Sequence, residues 1–177
     1  MPYNVLPRLQ GKTVEEIRAS IKRFPFSVAS FNVQYGINVG SILRACNVFA
    51  ASQYINIGHK QWDRRASLGV QNYENIVYVP TWNEFLIYSK ENNLTPIGID
   101  YVDGISIPLQ TIQTWKDIHP VFIFGSERGG LPQEAIKDCQ RILHIEQFGS
   151  IPSMNVAQAA AIVMNSWHDC RRNSDAG

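Results

Sequence analysis

The sequence predicts an α/β fold, a mostly parallel sheet flanked by helices. Three observations carry this. Apolar runs of strand length alternate with segments of helical period along the chain. The run Pro120-Val121-Phe122-Ile123-Phe124 is short and wholly apolar, as a parallel strand buried on both faces requires. And 177 residues, 45% hydrophobic and 18% charged, can bury a sizeable core without disulfide or metal staples. One domain over 1–177 is expected, with a short helical extension over about 1–25 and no repeat, linker or low-complexity tract.

The elements follow in order. Residues 13–23 begin with Thr13 and carry Glu16 three positions later, a capping box that opens a short helix. Residues 26–32 read as a strand, and Gly36 to Gly40 punctuate a loop. Residues 39–51 then repeat apolar side chains at helical spacing. Strands are expected at 54–58 and 76–79, and a helix at 81–92 that repeats the Thr-x-x-Glu cap with Thr81 and Glu84. Residues 94–99 form a strand whose Pro96 marks a sheet edge or a strand start. After the apolar run in the 120s come a Gly-rich turn, a helix within 131–139, a last strand at 141–146 and a last helix over 154–168.

Composition excludes several classes. No 18-residue apolar run exists, so nothing spans a membrane, and the first residues lack the apolar core of a signal peptide. A cytoplasmic protein with reduced thiols is expected, since Cys46, Cys139 and Cys170 are odd in number and widely spaced. The four histidines are scattered without metal-ligand spacing, so no metal is expected, and His144 reads as a strand residue with a satisfied ring. Residues 1–65 hold nine basic and three acidic side chains, a net of +6, whereas the remainder carries −5. Such a basic first third suits a polyanionic partner, and it equally suits an uneven solvated surface.

Three segments are richer in polar chemistry than packing demands. In the first, Asn38 precedes the expected helix and can cap it, Gly40 permits close approach, and Arg44 stands among apolar neighbours. An arginine there either meets an anion such as phosphate or closes a salt bridge. In the second, Phe124-Gly125-Ser126-Glu127-Arg128-Gly129-Gly130 ends the central strand, the place where open α/β sheets bind ligands, although a tight turn with a charged tip has the same pattern. In the third, Ile145 leads through Gly149 and a Pro-containing loop to Ser153-Met154-Asn155-Val156, where Ser153 or Asn155 can cap the last helix.

Together, in this order and spacing, these segments resemble the SpoU (TrmH-like) family of SPOUT RNA methyltransferases. The family's first motif, an Asn and then N-x-G-x-x-x-R, stands as Asn32 and Asn38 through Arg44; G-x-E-x-x-G stands as Gly125 through Gly130; and S-x-N-V stands as Ser153 through Val156. The resemblance covers residues 26–168 and implies several things. The C-terminal third would thread into a trefoil knot. S-adenosyl-L-methionine would lie against Gly125, Ile145 and Met154, with Phe124 and Gly149 close by. Arg44 would be the catalytic arginine, Asn38 and Asn155 would orient it or the ribose, Glu127 would pin the motif loops, and Ser153 would cap the helix and touch substrate. The chain would work as a homodimer whose interface includes the last helix, which the small residues at 157–161 suit.

The implied reaction is methyl transfer to a ribose 2′-hydroxyl of RNA, transfer RNA being the favoured substrate and ribosomal RNA the other. The basic residues before position 66 would grip the RNA. Two rivals stand beside it. One is a non-catalytic RNA- or cofactor-binding module of the same fold. The other is a nucleotide-using oxidoreductase, which the lack of a Gly-rich turn after the first strand disfavours. Stacking of bases on Tyr35 or Trp62 competes with simple packing of those rings.

Overall fold

The computed structural model describes residues 5–175; residues 1–4 and 176–177 of the expected 1–177 unit lie outside the described residues. Seven strands form one sheet: β1 (Phe24–Phe31), β2 (Ala51–Ile57), β3 (Ile76–Val79), β4 (Thr95–Ile99), β5 (Ile107–Pro108), β6 (Pro120–Phe124) and β7 (Arg141–His144). Their order is β3-β2-β1-β6-β4-β7-β5, and every pairing is parallel. Among the described residues, six α-helices accompany them: α1 (Val14–Ser20), α2 (Gly36–Val48), α3 (Arg64–Ser67), α4 (Trp82–Glu91), α5 (Gln133–Asp138) and α6 (Val156–Asp175).

The central strand shows why its sequence is apolar throughout. Phe122 and Phe124 join the core that holds Leu43 of α2 and Met164 of α6, while Val121 and Ile123 join the core that holds Phe85 of α4 and Ala135 of α5. Both faces of the sheet are therefore covered. Burying each such side chain stabilises the fold by roughly 1.5–3 kcal/mol.

Both expected capping boxes form. Thr13 N–H donates to Glu16 Oε2 at 2.7 Å and Glu16 N–H returns to Thr13 Oγ1 at 3.2 Å; Thr81 and Glu84 repeat the exchange. Two expectations change. Pro96 lies in an interior strand, not at an edge. Its carbonyl accepts from Gln140 N–H on the β7 side, so its missing donor also faces that side, where pairing starts one residue later, at Ile97 with Arg141. Hence Pro96 is a strand start, and no ladder bond is lost. Secondly, α2 begins at Gly36, so the expected loop at 36–40 is helical and Asn38 sits within the first turn instead of capping it. Two short elements, α3 and β5, carry too few residues for periodicity to reveal them.

The small residues of the last helix pack in part on the chain's own core. Ala160 is fully buried in the chain's own core, with Ala157 and Ala159 packed against that core, and Ile162 is the large apolar side chain left exposed. The three cysteines are free thiols, and burial pushes Cys139 up to about 12. Among the described residues, no helix is long and apolar enough to cross a membrane, and no His, Cys, Asp and Glu side chains cluster as a metal site.

Candidate active site

Parallel pairing aligns the strand ends. Phe124 of β6 lies level with Ser30 of β1 and Ile99 of β4, and Ile99 lies level with Leu143 of β7. The loops leaving these strands therefore meet at one edge of the sheet, as ligand sites of open parallel sheets do. There they enclose a cleft of about 1110 Å³. Its walls include Asn38, Glu127, Ser153 and Asn155, and also Phe124, Gly125, Ile145 and Met154. Gly149 lines an adjoining hollow along 144–152. Arg44 is not among the lining residues.

The turn after β6 is built around two glycines. Ser126 and Gly130 exchange backbone bonds of 3.1 and 2.9 Å. A Cβ at Gly125 would fall 2.1 Å from the Gly130 carbonyl, so only glycine fits. Gly130 itself holds φ +62, and a Cβ there would lie 2.2 Å from Asp100 Oδ2. That carboxylate, just past the end of β4, accepts Leu131 N–H at 2.7 Å and Tyr101 N–H at 2.8 Å. Asp100 thus braces the turn from the neighbouring strand. Sequence reading missed it, although a lone acid directly after an apolar strand is the signal that would have found it.

Glu127, at the tip of that turn, holds the segment that leads into α2, while the helix start carries no side-chain cap of its own. Its carboxylate accepts Gln34 N–H at 2.8 Å, Tyr35 N–H at 3.2 Å and the Asn38 side-chain amide at 2.7 Å. Asn38 is buried, and its Oδ1 accepts from Asn155 Nδ2 at 3.0 Å. Asn155 in turn caps α6, its Oδ1 taking Ala157 N–H at 2.9 Å. One chain of side-chain bonds, Glu127 to Asn38 to Asn155, so ties together the three polar segments. Burial works to raise the Glu127 pKa, but hydrogen bonds from Gln34, Asn38 and Tyr35 outweigh it and hold the carboxyl below its ordinary value.

The remaining candidates divide. Ser153 and Met154 are exposed on the cleft wall, and the cap falls to Asn155 and not to Ser153. Arg44 is exposed and makes no hydrogen bond or ion pair among the described residues, so the salt-bridge reading of it fails. It shares one face of α2 with the exposed Ile37 and Val48. Trp62 packs against the core, while Tyr35 is half-exposed at the cleft. His144 ends β7 with Nδ1 3.0 Å from Ser106 Oγ, so its ring is satisfied as expected.

This architecture is shared with solved methyltransferase structures. The A. aeolicus TrmH/SpoU tRNA modifying enzyme superposes with a TM-score of 0.79 at 19% identity, covering 92% of this chain and 84% of that one. The SpoU methyltransferase AviRb from Streptomyces viridochromogenes, solved in complex with AdoMet, gives 0.73 at 22% identity over 86% and 59%. At these identities the likeness is one of fold. A curated relative, the tRNA (guanosine(18)-2'-O)-methyltransferase of Saccharomyces cerevisiae, is 24% identical over 153 residues; the match covers 83% of this chain and only 10% of that protein. The model of the SpoU rRNA Methylase family matches residues 25–165, and the chain belongs to that family.

Proposed function

We propose that the chain transfers a methyl group from S-adenosyl-L-methionine to a ribose 2′-hydroxyl of RNA, with transfer RNA favoured over ribosomal RNA. The observation that carries this is the bonded series Glu127–Asn38–Asn155, which gathers the three family motifs around one cleft. The residues present fit the donor. Ile99, Phe124, Ile145 and Met154 offer apolar surface, Gly125 and its turn bring backbone groups close, and Asp100 and Asp103 place carboxylates near a cationic ligand. When bound, S-adenosyl-L-methionine supplies an electrophilic methyl on sulfonium sulfur.

The protein's part is alignment, which can contribute several kcal/mol. In this reading Gly125, Ile145 and Met154, with Phe124 and Gly149 beside them, hold the cofactor. Asn38 and Asn155 orient the ribose, Ser153 contacts substrate, and Glu127 fixes the loops. A guanidinium is a poor general base, so Arg44 orients the substrate phosphate and stabilises negative charge developing on the attacking oxygen. That it makes no hydrogen bond or ion pair among the described residues, and does not line its own cleft, supports action across a homodimer. The trefoil knot belongs to the same reading. What supports it is that β7, late in the chain, pairs between the earlier β4 and β5, and that the loop after it returns to the cleft. A cytoplasmic site of action belongs to the same reading, and the three free thiols support it.

The test is incubation of the purified chain with labelled S-adenosyl-L-methionine and total RNA, then mapping of the labelled nucleotide. A 2′-O-methylribose is expected, and Arg44→Ala should lower the rate about a hundredfold (~2.7 kcal/mol of barrier) with cofactor affinity unchanged. Survival of transfer within tenfold overturns the role of Arg44. Cofactor binding without transfer to any RNA favours the non-catalytic module.

A further inference from the structure

The carboxyl edge of the sheet is electrically divided. Over β4 and β7 it carries Asp100, Asp103 and Glu146, while the turn after β6 between the two sides carries Glu127 and the exposed Arg128. Over β2, on the other side of the cleft, the loop of residues 58–69 carries His59, Lys60, Arg64 and Arg65, all exposed, against the single acid Asp63. Asp63 is taken up by Arg65, whose Nη2 and Nε lie 2.8 and 3.2 Å from it. Lys60 and Arg64 form no ion pair among the described residues. Lys60 is instead stationed with Nζ 5.0 Å from the centre of the Tyr78 ring, a contact that orients the ammonium and leaves its charge.

This loop is held rigidly against the site. Asp63 N–H donates to Gly36 O at 2.8 Å, and Gln61 Nε2 donates to Gln34 O at 2.7 Å. Gln34 is the residue whose N–H reaches Glu127 in the cleft. A Cβ on Gly40 would fall 2.5 Å from Asp63 O, so α3 lies directly on the first turns of α2. Arg44, four residues past Gly40, rises on that flank of α2. Two cations without an ion pair among the described residues, on a loop bonded to Gln34 and Gly36 beside the cleft, set a direction of approach for a polyanion.

We propose that Lys60 and Arg64 are backbone-phosphate contacts, and that the 58–69 loop is where the RNA is held as its target nucleotide enters the cleft. The inference rests on the RNA methyltransferase reading above. The contacts are sequence-independent and position the strand, while selection of the nucleotide happens in the cleft.

The experiment compares the full chain with Lys60→Glu/Arg64→Glu and with Lys60→Gln/Arg64→Gln. Its control is Lys90→Glu/Lys137→Glu, on α4 and α5, which changes net charge equally away from the loop. The probe is total transfer RNA, with affinity followed over a salt series and S-adenosyl-L-methionine affinity measured in parallel. The Glu pair should weaken RNA binding at least tenfold. The Gln pair should flatten the slope of log affinity against log salt by about 1.5, since each lost phosphate contact removes roughly 0.7–0.9. Cofactor affinity should stay within twofold, and the control should keep its salt slope. Unchanged RNA affinity and slope in a chain that still methylates RNA overturns the loop assignment alone, as does an equal effect in the control. A wild-type chain that neither binds nor methylates RNA removes the parent reading and this one with it.

Discussion

Glu74 and Glu127 are two carboxylates at opposite ends of α2, and they meet the same helix on opposite terms. Glu127 stands at the N-terminal end, where the positive end of the helix dipole favours an anion, and the N–H groups of Gln34 and Tyr35 and the Asn38 amide suffice as neutral donors. Glu74 receives the Asn47 amide from the last turn, where the dipole has the wrong sign for a carboxylate. It needs a cation, and Arg23 supplies one at 2.5 Å; the Glu74 side chain is 0% exposed and that of Arg23 16%. Arg23 also donates to Ala51 O and Tyr73 O, so the buried charge pair is fully bonded. One acid is closed off with its counter-ion, the other left half-open without one. The difference separates a structural clamp from a group kept near substrate.

The largest effect that tests this contrast is on stability. Glu74→Ala leaves the mostly buried Arg23 without its partner, which costs about 3–5 kcal/mol. For a chain of this size that lowers the melting temperature by roughly 10 °C. Calorimetry reads it directly, and a loss under 1 kcal/mol would mean the pair is not the clamp described. Transfer activity assayed well below the transition should survive, because Glu74 is remote from the cleft lining.

A smaller effect is expected within the cleft. Gly125→Ala forces a Cβ into the Gly130 backbone at 2.1 Å, so the turn must move. S-adenosyl-L-methionine affinity should fall at least tenfold, about 1.4 kcal/mol. Gly149→Ala meets nothing within 4 Å and should leave affinity within twofold. Titration calorimetry on the pair decides whether Gly149 matters through its missing side chain or only through its place in the loop.

How far the sequence could be read follows the same division. Strand positions, the two Thr-x-x-Glu caps and the fully apolar β6 were legible because they depend on neighbours in the chain or on one plain periodicity. The start of α2 was not. The segment leading into it is held by Glu127, 89 residues from Asn38, and no local pattern announces a brace delivered by another segment. Asp100 was missed for the same reason, since its partner Leu131 is 31 residues away. The motif residues were found, but the bonds among them were not, for these run between loops that only the parallel register brings together. Pro96 misled because local rules say where a proline disturbs pairing, whereas its tolerance depended on where β7 begins.

The smallest effect belongs to Glu127 itself, and it is a matter of pH. Hydrogen bonds hold its carboxyl below the ordinary value of 4.5 in the folded chain. Such a group contributes stability fully above that ordinary value, and the contribution disappears as pH falls through the lowered one. From pH 8 to about 5 the network therefore stays charged and constant. Glu127→Gln keeps the shape, removes the charge and turns an N–H toward donors, so it should lose about 1 kcal/mol near neutrality, the scale of a hydrogen bond. As pH falls through the lowered value the wild type should lose this same contribution, and the gap between the two melting temperatures should narrow. A gap that stays constant from pH 7 to pH 3 would show that the charge of Glu127 does not hold the helix start, and the contrast with Glu74 would then rest on burial alone.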